Sequence, residues 1–144
     1  MNIVFFVPGI PKTAGSKRAF VNPKTGKPII TDDCKKGADW KADIKSFALK
    51  TGVVKQMDGP LLLVLEFFMP RPKYHYGTGK NSGIIKPSMI NARPDKKPDL
   101  LKMARAVEDA LTGIVWKDDA QICDERITKR YGVIPGVKIK VEMI

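Results

Sequence analysis

Residues 98–113 constrain the fold most, because they predict one amphipathic helix with both ends marked. Pro98 and Asp99 form a start signal, since a carboxylate near the first turn meets unpaired amide donors and the positive end of the helix dipole. Gly113 is a typical stop residue. Apolar residues between them recur at the i, i+3, i+4 spacing of a buried stripe: Leu100, Met103, Ala104, Val107 and Leu111.

Leu101 does not belong to this stripe. At about 100° per residue it shares a second, mostly polar face with Arg105, Glu108 and Thr112. Taken alone, it is interpreted as a half-exposed leucine, which is common on protein surfaces.

The run of residues 97–113, followed by Asp-Asp-Ala-Gln at 118–121, resembles the RusA family of Holliday junction resolvases of phages and prophages. The family pattern is Pro-Asp-x-Asp-Asn-Leu-x-Lys-x-x-x-Asp-Ala-Leu, then Asp-Asp-x-Gln, and three of its acids bind magnesium. The resemblance implies that Asp99 and Asp119 are catalytic and bind the metal, with Asp118 as a further ligand. The family's basic helix residue, a lysine, falls on Arg105, which keeps the charge and is the third catalytic residue that the resemblance implies.

The chain departs from this pattern at the middle acid, which falls on Leu101, and at the following asparagine, which falls on Lys102. Losing one carboxylate weakens the negative charge available to a cation. Two interpretations remain open. The protein is an enzyme that works with the remaining aspartates, with full or reduced activity, or it is a catalytically impaired protein that binds branched DNA without cutting it.

The resemblance implies a Mg²⁺-dependent, structure-selective DNA endonuclease that resolves Holliday junctions or other branched DNA in recombination and repair, with Mn²⁺ as an alternative metal. A four-way junction has two symmetric scissile strands. A C2 homodimer with two active sites is therefore the natural architecture for the enzyme.

The charge balance agrees with a nucleic-acid partner. Lysine and arginine number 26 against 15 aspartates and glutamates, so the formal net charge is +11. Such a charge attracts polyanions, although a solvated basic surface without that role is the alternative. An RNA-binding protein is less favoured, because no stacking-aromatic motif is present.

Residues 70–98 lack periodicity and are rich in proline and basic residues. The segment is predicted to be a long basic loop, either functional or a disordered insertion. Its charges lead directly into Asp99 and suit contact with DNA phosphates. The predicted DNA-binding residues are Arg71, Lys73, Lys96, Lys97 and the neighbouring helical Lys102. His75, the only histidine, is expected at the surface.

The other elements follow from local pattern. Residues 61–69 are the most apolar stretch and predict a central strand covered on both faces, whereas 137–144 alternate and predict a strand with one wet face. A second helix carries Trp40 and Ile44 on one side, with caps at 31–33 and a stop at Gly52. Further strands are predicted at 2–7 and 122–131, and a hairpin at 19–31. The expected fold class is α+β: a single domain with a mixed β-sheet and two main helices packed on one side, as in RusA.

A chain of 144 residues is expected to form one domain, here 1–144. Cys34 and Cys123 are far apart and predict no disulfide framework or zinc site, which fits a reducing compartment. No run approaches the length of a membrane span, and the apolar start is too short for a signal peptide. The protein is therefore expected to be cytoplasmic, with no membrane partner.

Overall fold

The computed structural model describes residues 2–14, 17–21, 23–32 and 37–144. The fold is α+β, as the sequence predicts. Its strands are β1 (Asn2–Pro8), β2 (Lys17–Val21), β3 (Pro28–Asp32), β4 (Leu61–Met69), β5 (Ile122–Tyr131) and β6 (Gly136–Met143), and its helices are α1 (Gly37–Lys50) and α2 (Leu100–Leu111).

Four strands form one mixed sheet in the order β1-β6-β4-β5. β4 pairs antiparallel with β6 and parallel with β5. Leu65 on β4 thus has Ile139 on one side and Ile127 on the other. β2 and β3 pair antiparallel in the predicted hairpin, which forms a separate two-stranded sheet.

Among the described residues, burial is complete on one face of the main sheet and partial on the other. Leu63, Leu65 and Phe67 are almost fully buried, whereas the alternating Val64 and Glu66 on the other face are only half-buried. The prediction that β4 is covered on both faces is therefore wrong. The cause is the position of the helices, because α1 and α2 both pack on the same side, with a core that joins Ile44, Met103 and Val107 to the buried strand residues.

α2 makes the crossover between the parallel strands β4 and β5, as parallel neighbours require. It begins at the carboxyl end of β4 and runs antiparallel to both strands. The Lys129 ammonium near the end of β5 donates to the carbonyl oxygen of Pro98, at 3.0 Å, just before α2 starts. α2 therefore carries its first turn to the carboxyl edge of these strands and its last turn to their amino edge.

α1 agrees with its predicted apolar face. Trp40 is 3% exposed and Ile44 is fully buried, so Trp40 serves the core, as its spacing predicts. Gly52 adopts a positive φ of 82° where the chain leaves the helix, a conformation that glycine tolerates best. Part of the predicted cap at 31–33, and Cys34, lie outside the described residues.

The segment between β4 and α2 is an ordered loop that contains three short 3-10 turns. His75 belongs to the first of these turns and is only 2% exposed, so the prediction of a surface histidine is wrong. Its ring packs edge-on against Tyr74 and against Tyr131 of β5, with centroid distances of 4.8 and 4.9 Å. These aromatic contacts bury the imidazole, which local sequence pattern does not reveal.

Candidate active site

Asp99 stands at the N-cap position of α2, but its carboxylate accepts no capping hydrogen bond. The Lys102 ammonium lies 3.8 Å from it, and the side chains of both residues are more than half exposed. Such an exposed pair contributes little to stability. The Asp99 carboxylate is therefore available to a ligand, which argues against a purely structural cap.

Asp118 and Asp119 lie in a tight turn before β5, and the two carboxylates have different surroundings. Asp118 Oδ1 accepts a hydrogen bond from the Ala120 amide, at 2.9 Å, and caps the 3-10 turn that starts at Asp119. No capping hydrogen bond involves the Asp119 carboxylate among the described contacts. One oxygen of Asp118 therefore has a structural role, whereas the side chain of Asp119 is exposed.

Gln121 holds this turn against the rest of the fold. Its Oε1 accepts hydrogen bonds from the amides of Lys117 and Asp118, at 3.0 and 3.1 Å. Its Nε2 donates to the carbonyl oxygens of Met57 and Gly59, at 3.0 and 3.1 Å. One amide side chain thus joins the aspartate turn to the segment that leads into β4.

Glu108, in the last turn of α2, lies in the electrostatic field of the same turn. Partial burial, and then the negative charges of Glu125 and Asp119, raise the pKa of Glu108 from 4.5 to about 7, and Arg105 opposes this shift. Burial also raises the pKa of Glu125, on β5. Glu125 and Asp119 therefore both act on Glu108 near the amino edge of the parallel strands. These three residues are called the acidic cluster.

Asp99 and Asp119 lie toward opposite ends of α2. Asp99 precedes its first turn, whereas Asp119 acts on Glu108 in its last turn. Glu108 lies nine positions after Asp99 in the sequence, which corresponds to about 13 Å of helical rise. Within one chain, the structure therefore brings Asp119 toward Glu108, which Glu125 also influences, rather than toward Asp99.

The polar face of α2 connects these two ends. Leu101 is 73% exposed, so it lies on the solvent side, as the helical spacing predicts. Arg105 follows one turn later and is also exposed. A ligand along this face would meet Asp99, Leu101 and Arg105 in succession before it reached the acidic cluster.

Arg71 is fully engaged inside the long loop. Its guanidinium donates to the carbonyl oxygens of Met89 and Ile90, at 2.8 and 3.1 Å. It also lies 5.2 Å from the ring centroid of Tyr131, a cation–π distance. Arg71 is therefore a clamp for the loop, and its contact with DNA stays a prediction.

The other predicted DNA-binding residues are exposed: Lys73, Lys96, Lys97 and Lys102. Lys97 and Lys102 line a shallow depression together with Asp99. Positive charge thus surrounds the carboxylate at the start of α2, which suits a phosphate backbone brought close to that acid.

Comparison with known proteins identifies the chain. The family model described as endodeoxyribonuclease RusA matches residues 8–142. The chain belongs to the RusA family. A similar protein is the uncharacterized protein YqaN of Bacillus subtilis strain 168, which is 26% identical over 142 residues and is aligned over 99% of this chain and 96% of YqaN.

Membership of the RusA family implies Holliday junction resolvase activity and branched DNA as the substrate. RusA resolvases generally depend on a divalent metal ion. In the part of the chain that the structure describes, no helix is long and apolar enough to cross a membrane.

The RusA-like site of this chain offers carboxylate oxygens to such a metal. Among residues 2–14, 17–21, 23–32 and 37–144, no group of three or more histidine, cysteine or acidic side chains is placed to hold a metal ion. Carboxylate oxygens are nevertheless the ligands that Mg²⁺ prefers, and it often takes only one or two from the protein. A cation beside Asp119 would also offset the repulsion within the acidic cluster. The residues present thus fit a cation held by few protein ligands and completed by water and phosphate.

Sequence reasoning did not assign a role to Glu108, Glu125 or Gln121. Glu125 sits on the helix-facing side of β5, because its register partner is the buried Leu63 of β4. The glutamine of the Asp-Asp-x-Gln motif was a visible signal for Gln121, since the family pattern includes it. No comparable signal marks Glu125.

Proposed function

We propose that this protein is a Mg²⁺-dependent, structure-selective endonuclease that cuts Holliday junctions or related branched DNA by phosphodiester hydrolysis. The family match over residues 8–142 carries this proposal. The exposed, uncapped carboxylate of Asp99 among lysines supports it, as does the well-held turn that presents Asp119. Mn²⁺ is an alternative metal.

Asp99 and Asp119 are the proposed metal-binding and catalytic acids, and Asp118 contributes through the carboxylate oxygen that does not cap the turn. A cation held by these carboxylates would supply Lewis-acid chemistry, which lowers the pKa of bound water and offsets charge on the leaving oxygen. The lysines around Asp99 hold the DNA backbone beside this acid. The exposed guanidinium of Arg105 stabilises negative charge that develops on the scissile phosphate.

A homodimer explains how acids at opposite ends of α2 can serve one phosphodiester. In a C2 arrangement, two chains lying antiparallel along the polar face of α2 would bring Asp99 of one chain toward the partner subunit's Asp119. Two equivalent sites would result, which matches the two symmetric scissile strands of a junction.

A mixing experiment tests this shared site. Asp99→Asn and Asp119→Asn are each expected to abolish cutting while leaving junction binding intact or stronger. If sites are shared, mixed dimers of the two variants contain one site with both carboxylates, so cutting should return to about a quarter of the wild-type rate. Unmixed dimers of each variant, held at the same total concentration, are the control. No recovery after subunit exchange would refute the shared site.

A second candidate function is a branched-DNA-binding protein without nuclease activity. The observation that favours it is Leu101, which exposes 73% of an apolar side chain where the family has a metal-binding acid. This candidate keeps the basic surface and the fold but lacks one of the three expected carboxylates.

A labelled four-way junction separates the two candidates. Incubation with protein and Mg²⁺ should yield paired, symmetric nicks if the protein is the enzyme, and a gel shift without nicks if it is the binder. Linear duplex DNA of the same sequence controls for structure selectivity. Equal cutting of linear and branched DNA would contradict the proposed selectivity.

A further inference from the structure

A pocket of about 400 Å³ lies where the long loop leaves β4 and returns to α2. It is called the loop pocket here. The residues that define it include Pro70, Tyr74, Pro94, Lys96, Lys97 and Tyr131. Its size is within the range of small-ligand sites, and no role in metal binding or phosphodiester cleavage has been assigned to it.

The walls of the loop pocket are aromatic and proline side chains held in place by their neighbours. Tyr131 is fixed between the buried His75, with ring centroids 4.9 Å apart, and the guanidinium of Arg71 at 5.2 Å. Tyr74 contacts the same imidazole edge-on at 4.8 Å, yet 55% of its side chain is exposed. The ring of Tyr131 is therefore held rigidly by its neighbours, whereas the ring of Tyr74 is exposed enough for a ligand to reach it.

Lysines line the same pocket and are free to meet an anion. Lys96 and Lys97 are exposed, and neither pairs with a carboxylate in the part of the chain that the structure describes. The third lysine of the lining, Lys129, instead donates to the carbonyl oxygens of Lys96 and Pro98, at 2.8 and 3.0 Å. Lys129 thus fixes the segment from which the two free ammonium groups project.

Flat apolar walls beside unpaired ammonium groups match the chemistry of a single nucleotide. Aromatic side chains bind exposed bases of any sequence by stacking, and lysines bind the adjoining phosphates. A base inside a duplex is already stacked and paired, so it does not present its face to such a pocket unless it is first extruded. The ligand indicated is therefore an unpaired nucleotide.

We propose that the loop pocket binds one unpaired nucleotide at a DNA branch point, with its base against Tyr74 and the proline faces and its phosphate at Lys96 and Lys97. This inference rests on the proposed function in taking branched DNA as the ligand. Lys97 lines both the loop pocket and the depression that contains Asp99. An unpaired nucleotide held there places the next phosphate of the strand toward the carboxylate. The pocket would thereby favour branch points with an unpaired nucleotide over fully paired ones.

The test uses the full chain and two DNA forks that differ only in one unpaired 2-aminopurine nucleotide at the branch, without divalent metal. Wild-type protein is expected to bind the fork with the unpaired nucleotide about tenfold more tightly, from the usual strength of base stacking on an aromatic ring. Its binding should also change the 2-aminopurine fluorescence. Tyr74→Ala should bind both forks equally, whereas Tyr74→Phe, which keeps the ring, should retain the preference.

A matched control lies next to the pocket. Lys73 is exposed and does not belong to the lining, so Lys73→Ala should weaken binding to both forks by the same factor. Because the Tyr74 ring is largely exposed, its truncation is expected to leave the circular dichroism spectrum unchanged. If the Tyr74→Ala spectrum is altered, the inference is tested instead by the 2-aminopurine fluorescence change with wild-type protein and by the affinities of Tyr74→Phe for the two forks.

Four results would overturn the inference: equal wild-type affinity for the two forks, unchanged 2-aminopurine fluorescence on binding, a preference that survives in folded Tyr74→Ala, or no binding to either fork. Cutting of a fully paired junction in Mg²⁺ reports on the proposed function separately. A protein that prefers the fork with the unpaired nucleotide but does not cut would refute the nuclease and support the nucleotide-binding pocket. A protein that cuts but shows no preference would support the nuclease and refute the pocket.

Discussion

The turn that presents Asp119 depends on one side chain, and Gln121→Met tests that dependence. Methionine has a similar length and volume but makes none of the four hydrogen bonds that Gln121 makes with backbone groups at 57, 59, 117 and 118. Asp118 keeps its own capping bond in the variant. The substitution therefore loosens the turn as a whole and leaves its capping carboxylate unchanged.

The expected loss of stability follows from the number and exposure of these bonds. Three of the four are exposed and one is part-buried, so each should contribute near the lower end of the usual range. At about 0.5 to 1 kcal/mol each, the total loss is about 2 to 4 kcal/mol. For a domain of 144 residues, this corresponds to a fall in Tm of roughly 10 °C.

Thermal unfolding followed by circular dichroism gives the Tm, and cutting of a labelled junction well below that Tm gives the rate. The rate should fall about tenfold to a hundredfold, since a misplacement of about 1 Å in a catalytic group can cost that much, while junction affinity stays within twofold. Gln56→Met is the matched control, because Gln56 donates one exposed hydrogen bond, to the Gly113 carbonyl at 2.7 Å. A Gln121→Met protein that melts within 2 °C of wild type and cuts at the wild-type rate would refute the reasoning.

Three further outcomes are expected. Leu101→Asp should raise the junction-cutting rate at limiting Mg²⁺, because it restores a carboxylate on the exposed face of α2. Leu101→Asn is the uncharged control. Equal rates for the two variants would contradict the idea that the site lost a metal ligand at this position. The pKa of Glu108 is raised to about 7 in the folded protein, so folding favours its protonated form. The contribution of Glu108 to the free energy of unfolding is therefore highest below about pH 4.5, and it falls as the pH rises through 7 and the partly buried carboxyl ionises. Glu108→Gln should therefore raise the free energy of unfolding of the metal-free protein at pH 8 and leave it nearly unchanged at pH 4.5, as measured by urea unfolding. An equal effect at both pH values would contradict this expectation. Lys129→Met should lower the Tm by several degrees, because two carbonyl oxygens lose a charged donor, whereas the exposed Lys117→Met should leave it nearly unchanged.

Elements with a strong period were predictable from the chain alone. The apolar stripe of α2 and the alternation of β6 each report directly on a buried face, because a side chain's direction in a helix or strand follows from its position. Met103, Val107, Ile139 and Val141 are accordingly all buried. The Asp-Asp-x-Gln motif likewise led to the RusA family, which the match over residues 8–142 confirms.

The long loop was less predictable, because its order comes from contacts between distant residues. Arg71 reaches the carbonyl oxygens of Met89 and Ile90, and His75 packs on Tyr131. None of these pairs leaves a periodic signal. A segment rich in proline and lysine therefore looked irregular, although its contacts enclose a defined pocket.

The sequence by itself determined the fold class, the two helices and the identity of the candidate acids, since local periodicity and a short motif carry that information. Only the tertiary structure decided which acids are neighbours. The crossover between β4 and β5 makes α2 run antiparallel to both strands, so it places Asp99 at one edge of the sheet and Asp119 near Glu108 at the other. The direction of the crossover helix relative to two parallel strands depends on the whole βαβ unit, so no single stretch of residues encodes it.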